Sequence, residues 1–537
     1  MRTIVHVLAS TMSGTVLSLA FAPINNLFAI PVALSIFLFV IEKTLKQDSY
    51  TVSFLVGFTF GMGHFTSNLY WISYPLYVDY NTYGWLIPIV IVIVPSLLSI
   101  FIGLLAVIMS QFMRATYSHS KSIMVTERVF VIITFSSLWT LMELVRSYAI
   151  LPFPWNLLGY ASIASLPLAQ ISSLTGVHGL SFLLALAGSI FYSKDIKSVS
   201  IVYIMVFCCC IWGEMRLVKN KNNFEGSINI RIVQNNLNIA EHYLMDPIQR
   251  AKHLEHILWL SSKDKLLQEQ LVIWPESGFP FLIGKRNKYV PELDRLISKG
   301  SFVITGADRY DQNGLEGYNS MIAVDFMGDI VSSYDKQILA PFGEYIPMHS
   351  VLKNFFPSVI TGDAGFKSGS GNGNLEVLYK DKLVKIAPYI CYEIIFSPFI
   401  LNNVKADSTF MLNLTNDGWL GDSIGLYQHF VMARMRAIEY GIPLVRAAAT
   451  GISAVVDGYG RILSQSNIAE AVVLDSVVPV RQKQTLYLWL YPQIPQLLIL
   501  LFAASVMILL VRQRVLELGI RRSLDNIGYS ENGIPDW

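Results

Sequence analysis

Charged residues are scarce in this chain of 537 residues: Asp, Glu, Lys and Arg make up 15% of it, against 53% apolar residues. So little charge excludes an entirely water-soluble protein, because soluble domains carry about a quarter charged residues. The net charge of +2 is small, and the basic residues stand in short clusters between apolar runs. This excludes the continuous basic face of a nucleic-acid-binding protein, and we expect no nucleic-acid partner. Part of the chain must lie in a membrane.

Cysteine is equally scarce, with four residues in the chain. Three of them are consecutive, at positions 208–210 inside an apolar run, and Cys391 stands alone in the more polar half. Adjacent positions on a helix point in different directions, so residues 208–210 are expected to face lipid or to pack rather than to bind a metal. The spacing excludes a disulfide framework and a zinc motif, and we expect no metal or other cofactor.

Long apolar runs dominate the first 220 residues. Seven of them reach about 18 or more residues, the length that an α-helix needs to cross the hydrocarbon layer. They lie near 4–22, 25–42, 51–72, 84–111, 128–149, 165–192 and 198–217. The first run could instead be a cleavable signal peptide ending at Ala22, but Pro23 directly after it argues against cleavage. We therefore predict an N-terminal membrane domain, residues 1–220, with about seven transmembrane helices.

The pattern changes near residue 226 to short β-branched strands, separated by polar and glycine-containing turns, which continue to about residue 480. This stretch, 226–480, is predicted to be one α/β domain. Its strands are predicted near 228–235, 271–275, 302–307, 320–325, 385–391, 408–414 and 452–456. A last apolar run, 486–511, predicts an eighth transmembrane helix, and residues 512–537 form a tail that contains Arg512, Arg514, Arg521 and Arg522.

Lysine and arginine in the short loops predict the orientation, since positively charged loops stay in the cytoplasm. Alternate loops are basic and carry Lys43 and Lys46, then Arg114, Lys121 and Arg128, then Lys194 and Lys197. The loops on the other side offer little beyond Arg146. Both termini and the tail are therefore predicted to be cytoplasmic, and the α/β domain is predicted to lie on the far side of the membrane.

Three reactive side chains each follow a predicted strand of the α/β domain: Glu276, Lys336 and Cys391. A thiol attacks an acyl carbon as the thiolate, so it needs a base and a nearby cation. Glu276 can be the base and Lys336 the cation. Lys336 and the backbone N–H of Tyr392 can also stabilise the oxyanion that attack creates. Taken singly, each residue has a common structural explanation: a turn glutamate, a solvated lysine and a small buried cysteine.

The order and context of these residues resemble the Glu–Lys–Cys triad of the nitrilase superfamily. Glu276 stands in a Trp-Pro-Glu sequence, Lys336 in Asp-Lys and Cys391 in Cys-Tyr-Glu. The flanking sequence resembles more narrowly the apolipoprotein N-acyltransferase family, the branch that is embedded in a membrane. The stretches that carry this resemblance are Lys336–Pro347, Cys391–Glu393, Asn416–Trp419, Gln428–His429, Ala433–Ala437, Phe153–Asn156 and Gly176–Ser181.

The resemblance implies a fold and a catalytic triad. The fold is a multi-pass α-helical membrane domain joined to an α/β domain of the nitrilase type, an αββα sandwich. Glu276 is implied to be the general base, Lys336 to stabilise the oxyanion and Cys391 to be the nucleophile. Supporting residues are implied at Glu344, which would orient Lys336, and at Tyr392 and Glu393, which would support the site around the thiol.

The resemblance also implies a reaction and a location. A fatty acyl chain would move from a phospholipid, by analogy phosphatidylethanolamine, to the α-amine of the N-terminal S-diacylglyceryl cysteine of a lipoprotein. It would pass through a thioester on Cys391, without a cofactor. The location would be the bacterial cell inner membrane, with the catalytic domain in the periplasm.

Two other classes of function fit part of the sequence. A membrane-anchored nitrilase-type amidase, or a lipid hydrolase, would use the same three residues, although eight helices exceed what an anchor requires. A transporter or receptor with a large binding domain would leave the three residues unexplained. Its helices would also need more charges than these runs contain.

Three further features have a structural and a functional interpretation. His429 is interpreted as a packing or hydrogen-bonding residue, because a carboxylate base is already present. Glu143 and Arg146, three apart on a helix, either pair with each other or hold a phospholipid headgroup. The apolar side chains of the loop 348–366 either form a lid in the membrane interface or pack in the core.

Overall fold

The computed structural model consists of a helical N-terminal half and a C-terminal half built on two β-sheets. The change from helices to strands falls between Lys219 and Ile228, close to the predicted boundary. The structure describes residues 2–117, 123–148, 152–220, 224, 227–237, 245–263, 270–283, 301–310, 316–346, 365–371, 373–397, 404, 407–491, 500 and 503–504.

Helices occur at all seven predicted apolar runs of the N-terminal half. Four described helical stretches are long and apolar enough to cross a membrane: Tyr80–Tyr117, Val125–Tyr148, Ser172–Ser193 and Ile196–Lys219. Helices α1 and α2, with 17 and 16 residues, are shorter, and α3 contains several polar residues. The helices are α1 (Arg2–Ser18), α2 (Ala29–Thr44), α3 (Tyr50–Leu69), α4 (Tyr80–Tyr83), α5 (Ile87–Tyr117), α6 (Val125–Tyr148), α7 (Leu166–Ala169), α8 (Ser172–Ser189) and α9 (Ile196–Lys219).

Small residues let α1 and α3 pack closely against each other. A Cβ added at Gly14 of α1 would lie 1.9 Å from the backbone oxygen of Phe60. A Cβ added at Gly63 of α3 would lie 2.2 Å from the backbone oxygen of Thr11. Close contact between helix backbones at small residues is typical of helices packed in a membrane.

The C-terminal half contains two six-stranded sheets, in the orders β12-β1-β2-β3-β4-β5 and β11-β10-β9-β8-β7-β6. The strands are β1 (Ile228–Gln234), β2 (Leu271–Ile273), β3 (Phe302–Tyr310), β4 (Gly317–Val324), β5 (Ile330–Asp335), β6 (Leu375–Tyr379), β7 (Lys382–Ile390), β8 (Phe410–Thr415), β9 (Leu444–Ala448), β10 (Ala454–Val456), β11 (Ile462–Gln465) and β12 (Val472–Val478). Each sheet has three parallel strands flanked by antiparallel ones: β1, β2 and β3 in the first, β7, β8 and β9 in the second.

The two sheets pack face to face and each carries a helix on its outer face. Buried side chains from both sheets, among them Ile273, Ile304 and Leu412, form one apolar core. Helix α10 (Pro247–Ser262) covers the first sheet through residues such as Ile257, and α11 (Ile424–Tyr440) lies beside the second. The four layers make the predicted αββα sandwich.

Helix α11 also joins the two halves, because most of it is buried against the membrane helices. Arg436 and Glu439 form an ion pair of 2.7 Å with fully buried side chains. Arg436 donates to the hydroxyl of Tyr160 at 2.8 Å, and Glu439 accepts from the N–H of Val177 at 2.7 Å. That N–H lacks an intrahelical partner because the chain turns at Gly176, where φ is 68°.

Two predicted segments lie largely outside the described residues. Of the predicted eighth helix, the structure describes α12 (Leu486–Leu490) and Tyr491, followed only by isolated positions. Of the loop 348–366, only residues 365–366 are described. Both the eighth crossing and the lid therefore stay predictions.

The buried ion pair predicts how the junction responds to substitution. Arg436→Met leaves the carboxylate of Glu439 buried beside an apolar side chain, and we expect a loss of about 3–5 kcal/mol of stability. The double variant Arg436→Met/Glu439→Gln removes the stranded charge and keeps an acceptor for Val177, so most of the loss is expected to be recovered. Thermal unfolding in detergent, followed by size-exclusion chromatography, measures both. Equal melting temperatures for the single and double variants would contradict this role.

Candidate active site

Glu276 follows β2 and is held by hydrogen bonds from two other elements. The side chain of Asn319, on β4, donates to one carboxylate oxygen at 2.8 Å. The N–H of Asn416, which follows β8 in the second sheet, donates to the other oxygen at 2.7 Å. A Cβ at Gly306 of the neighbouring strand would lie 2.6 Å from Glu276 Cα, so glycine is needed there. Glu276 is thereby fixed, 6% exposed, at the edge where the sheets meet.

Lys336 follows β5 and is 2% exposed. Its Nζ lies 2.9 Å from Glu344 Oε1 and 3.6 Å from Glu276 Oε1. The N–H of Ala340 donates to the second oxygen of Glu344 at 2.8 Å, which orients that carboxylate toward the lysine. Burial by itself lowers the pKa of Lys336, but Glu344 and Glu276 raise it by more, so the ammonium stays charged. The structure thus brings Glu344 to its predicted partner.

Cys391 comes directly after β7 and has a φ of 50°, a left-handed conformation that is uncommon for cysteine. It begins a 3₁₀ helix, Cys391–Ile395, and the side chain of Asn413 donates to its carbonyl oxygen at 3.4 Å. Burial raises the pKa of the thiol, and the charge of Glu276 raises it further, whereas Lys336 lowers it. At neutral pH the resting thiol therefore keeps its proton, and a base must remove it as attack begins.

Glu393 links the edges of the two sheets and is completely buried. One oxygen accepts from the N–H of Gln337 at 2.6 Å, from the N–H of Ile338 at 3.1 Å and from the hydroxyl of Tyr334 at 3.0 Å. The other accepts from the N–H of Ile390 at 2.7 Å. Burial raises the pKa of Glu393 to about 7, against the opposing effect of these donors. Glu393 therefore positions the lysine loop as well as the thiol.

Tyr392 connects the candidate site to the helical half. Its hydroxyl donates to the carbonyl oxygen of Pro152 at 3.1 Å, and its ring packs edge-on against Phe396 with centroids 4.8 Å apart. These contacts hold the chain that follows the nucleophile against the helical half.

His429 takes part in a buried polar network behind the thiol. Its Nδ1 lies 2.9 Å from Asp417, which also pairs with Arg446 at 2.7 Å. Asp417 in turn accepts from the hydroxyl of Thr415 at 2.8 Å, and Thr415 lies beside the thiol of Cys391. His429 also packs on Trp155, with ring centroids 5.6 Å apart. The histidine thus takes part in hydrogen bonding and packing, as predicted.

No role was assigned from the sequence to Asn319, Asn413 and Arg446. None was assigned to Asp417 either, although Asp417 lies in a stretch that carries the family resemblance. Each of them carries a buried hydrogen bond of the site or of the network behind it. The available signal was a polar residue on an apolar strand, as in Gly317–Val324 and Phe410–Thr415, but that signal does not reveal the partner.

The sequence matches two family models. Residues 13–190 match the N-terminal domain of apolipoprotein N-acyltransferase, and residues 230–479 match the carbon–nitrogen hydrolase model. The apolipoprotein N-acyltransferase of Rhodopseudomonas palustris is 33% identical over 503 residues, covering 89% of this chain and 90% of the relative. This chain belongs to the apolipoprotein N-acyltransferase family. The enzyme of that name from Rickettsia typhi is 32% identical over 87% of the chain and 90% of the relative, and that from Brucella melitensis 30% over 94% and 96%.

Among solved structures, this chain is similar to XC1258 of Xanthomonas campestris, a carbon–nitrogen hydrolase superfamily protein. The sequence identity is 18% and the TM-score is 0.34. The similarity covers 47% of this chain and 90% of that chain.

In this apolipoprotein N-acyltransferase family member, Glu143 and Arg146 both hold the loop after α6. Glu143 accepts from the N–H of Leu158 at 2.8 Å, and Arg146 donates to the carbonyl oxygens of Phe153 and Trp155 at 2.9 and 2.6 Å. Of the two alternatives for these residues, a direct ion pair between them is not present within the described structure. Their bonds to the loop favour a structural role.

The effect of Lys336 on the thiol gives a direct test of the site. Because Lys336 lowers the pKa of Cys391, Lys336→Met is expected to shift the pH profile of Cys391 alkylation by iodoacetamide to higher pH and to slow alkylation at pH 8 several-fold. Mass spectrometry of the Cys391 peptide measures the rate. Lys367→Met, which removes a lysine paired with Glu316 at an exposed position, is the control. An unshifted profile would mean that the two side chains do not share a site.

Proposed function

We propose that this chain is an enzyme that transfers a fatty acyl chain from a phospholipid to the α-amine of an N-terminal S-diacylglyceryl cysteine of a lipoprotein. The observation that carries the proposal is the grouping of buried Glu276 and Lys336 with the partly buried Cys391 at the edge of a sandwich fused to membrane helices. Relatives covering nearly the whole chain bear the name of this activity. The transfer needs no cofactor, since the thiol itself carries the acyl group.

In the first half-reaction, Glu276 takes the proton of the Cys391 thiol as the sulfur attacks the ester carbonyl of the phospholipid. The oxyanion that forms is stabilised by the Lys336 ammonium and by the N–H of Tyr392. Collapse breaks the ester C–O bond, and Glu276 returns its proton to the leaving alkoxide. A lysophospholipid leaves and the acyl group stays on the sulfur.

In the second half-reaction, the amine attacks the thioester carbonyl and the same groups stabilise the second oxyanion. Glu276 takes a proton from the nitrogen and delivers it to the departing sulfur of Cys391. The product is an amide, which is more stable than the ester from which the acyl group came. Phosphatidylethanolamine is the donor that we favour, by family analogy.

A small cavity lies at the junction of the two halves, between Leu157 of the helical half and Ile395 and Phe396, which follow the nucleophile. Its volume of about 10 Å³ has room for about one water molecule, so an acyl chain would need further space to open beside it. A lid formed by residues 348–366 would exclude water from the thioester.

The catalytic domain, residues 226–480, is proposed to lie in the periplasm beside the inner membrane. Residues 1–220 and 486–511 would supply eight crossings, with 512–537 as the cytoplasmic tail. In a variant without native cysteines, Asp381→Cys, in the exposed turn between β6 and β7, is expected to react with an impermeant maleimide in intact spheroplasts. Lys46→Cys, in the basic loop between α2 and α3, is expected to react only after permeabilisation. The reverse pattern would overturn the orientation.

The acyl-enzyme is the decisive species. With phospholipid alone, intact-mass measurement is expected to show one added acyl group on the wild-type protein and none on Cys391→Ala. Glu276→Gln is expected to acylate about a hundredfold more slowly or worse, because the thiol lacks its base. A diacylated lipopeptide with a free α-amine should discharge the adduct, and the same peptide with an acetylated amine should not. Rapid release of free fatty acid without peptide would indicate a lipid hydrolase instead.

A further inference from the structure

Asn319 holds an unused hydrogen-bond acceptor inside the candidate site. Its Nδ2 donates to Glu276 at 2.8 Å and to Glu344 at 2.9 Å. An oxygen in that place would face two carboxylates, so the orientation of the amide is fixed and its Oδ1 points away from them. Among the described residues, Oδ1 is buried and has no hydrogen-bond partner. A buried unpaired acceptor costs free energy, and a donor brought by a substrate would satisfy it.

Asp308 lies directly opposite Asn319. The two residues are register partners in the antiparallel pair of β3 and β4. Opposed residues project from the same face with their Cβ atoms about 4.5–5.5 Å apart. Alternation along β3 puts Asp308 on the face of Ile304 and Gly306, which is the face turned to the second sheet. The carboxylate of Asp308 therefore belongs to the same end of the inter-sheet space as the unused oxygen of Asn319.

The charges around Asp308 are mostly negative. Burial raises the pKa of Asp308 to about 7, Glu276 and Glu344 raise it too, and Arg250 lowers it. Arg250, on α10, donates to the carbonyl oxygens of Met245 and Pro280, so its hydrogen bonds are directed elsewhere. Among the described residues, the ammonium of Lys336 pairs directly with Glu276 and Glu344, and the cation whose charge acts on Asp308 is Arg250. A second ammonium would balance this site.

We propose that Asn319 Oδ1 and the Asp308 carboxylate bind a primary ammonium group, the α-amine of the acceptor, and that Asp308 takes the proton which the amine must lose before it attacks. This inference rests on the proposed function. An ammonium is also present in an ethanolamine headgroup. That group, however, is separated from the reacting ester by the phosphate and the glycerol, whereas Asp308 adjoins the base that acts on the reacting atoms.

The proton transfers balance. The ammonium gives one proton to the carboxylate of Asp308, which leaves a neutral amine and a carboxylic acid. The amine nitrogen then forms a bond to the thioester carbon, gives its next proton to Glu276, and the C–S bond breaks. Glu276 returns that proton to the sulfur of Cys391, and Asp308 loses its proton to solvent. A carboxyl group with a pKa of about 7 is well matched to an α-amine, whose pKa is about 7.7–8.0.

The test compares Asp308→Asn with the wild-type protein in each half-reaction separately. Acyl-enzyme is first formed from phospholipid and its rate of formation is recorded. A diacylated lipopeptide is then added and the loss of the adduct is followed by intact mass. At pH 7 Asp308→Asn is expected to discharge at least about tenfold more slowly, with acyl-enzyme formation unchanged. Asp381→Asn, the same substitution in an exposed turn, is the control and should behave as wild type.

Two further measurements separate the possible explanations. Above pH 9 most of the amine is already neutral, so the defect in discharge should shrink, whereas a merely misfolded site would stay slow at every pH. Acylation by phosphatidylethanolamine is also compared with acylation by phosphatidylglycerol, which has no ammonium. A defect confined to phosphatidylethanolamine acylation would assign the site to the headgroup and overturn the acceptor role.

Discharge of Asp308→Asn at the wild-type rate at pH 7 would overturn the inference altogether. That outcome is distinct from failure of the proposed function, in which the wild-type protein itself would form no acyl-enzyme.

Discussion

The ammonium group of Lys336 is almost completely removed from water, and this is tolerable only because two carboxylates surround it. Glu344 and Glu276 must in turn be held, and Asn319, Ala340 and Asn416 supply the hydrogen bonds. Asn319 lies on another strand of the first sheet, and Asn416 follows a strand of the second sheet. The hydrogen bonds that hold the carboxylates around Lys336 therefore also fix how the two sheets meet.

The same edge is tied a second time by Glu393. Its buried carboxylate bonds the chain on both sides of the gap, at Gln337 next to the lysine and at Ile390 next to the thiol. The distance between Lys336 and Cys391 is therefore set by Glu393 as well as by the packing of the two sheets. On the other side of the nucleophile, Tyr392 and the pair of Arg436 and Glu439 bind the helical half. The site is thus held at a constant position relative to the membrane helices.

The sequence predicted the elements whose signal is local. Seven apolar runs correspond to helices, and the strands β1, β2, β3, β4, β7, β8 and β10 were predicted from short β-branched segments between polar and glycine-containing turns. The sequence missed β5, β6, β9, β11 and β12. Of these, β6 alternates between buried and exposed residues, and β11 is an exposed edge. Pairing with a neighbour makes such segments strands, and a single sequence does not show the neighbour.

The residues of the candidate site divide in the same way, into those with a local sequence motif and those that depend on contacts between distant strands. Glu276, Lys336 and Cys391 were predicted from their motifs and Glu344 from the family resemblance, and the structure places these side chains together. The second role of Glu393 and the position of Asp308 opposite Asn319 depend on register and on contact between sheets. Neither leaves a pattern along the chain, because the residues concerned are separated by many positions and meet only in the folded sandwich.

The raised pKa of the Cys391 thiol has opposite consequences in the two half-reactions. A thiol that holds its proton tightly is a poor nucleophile until a base, Glu276 in the proposed mechanism, accepts that proton. This favours attack only when a substrate is in place. The corresponding thiolate is also a poor leaving group, so a thioester at this position resists hydrolysis unless the sulfur is protonated as it departs. An incoming nucleophile brings the required proton, and in the proposed mechanism Glu276 passes it to the sulfur. Release of the acyl group thus depends on a nucleophile that supplies a proton, and exclusion of water from the site would leave the amine as that nucleophile.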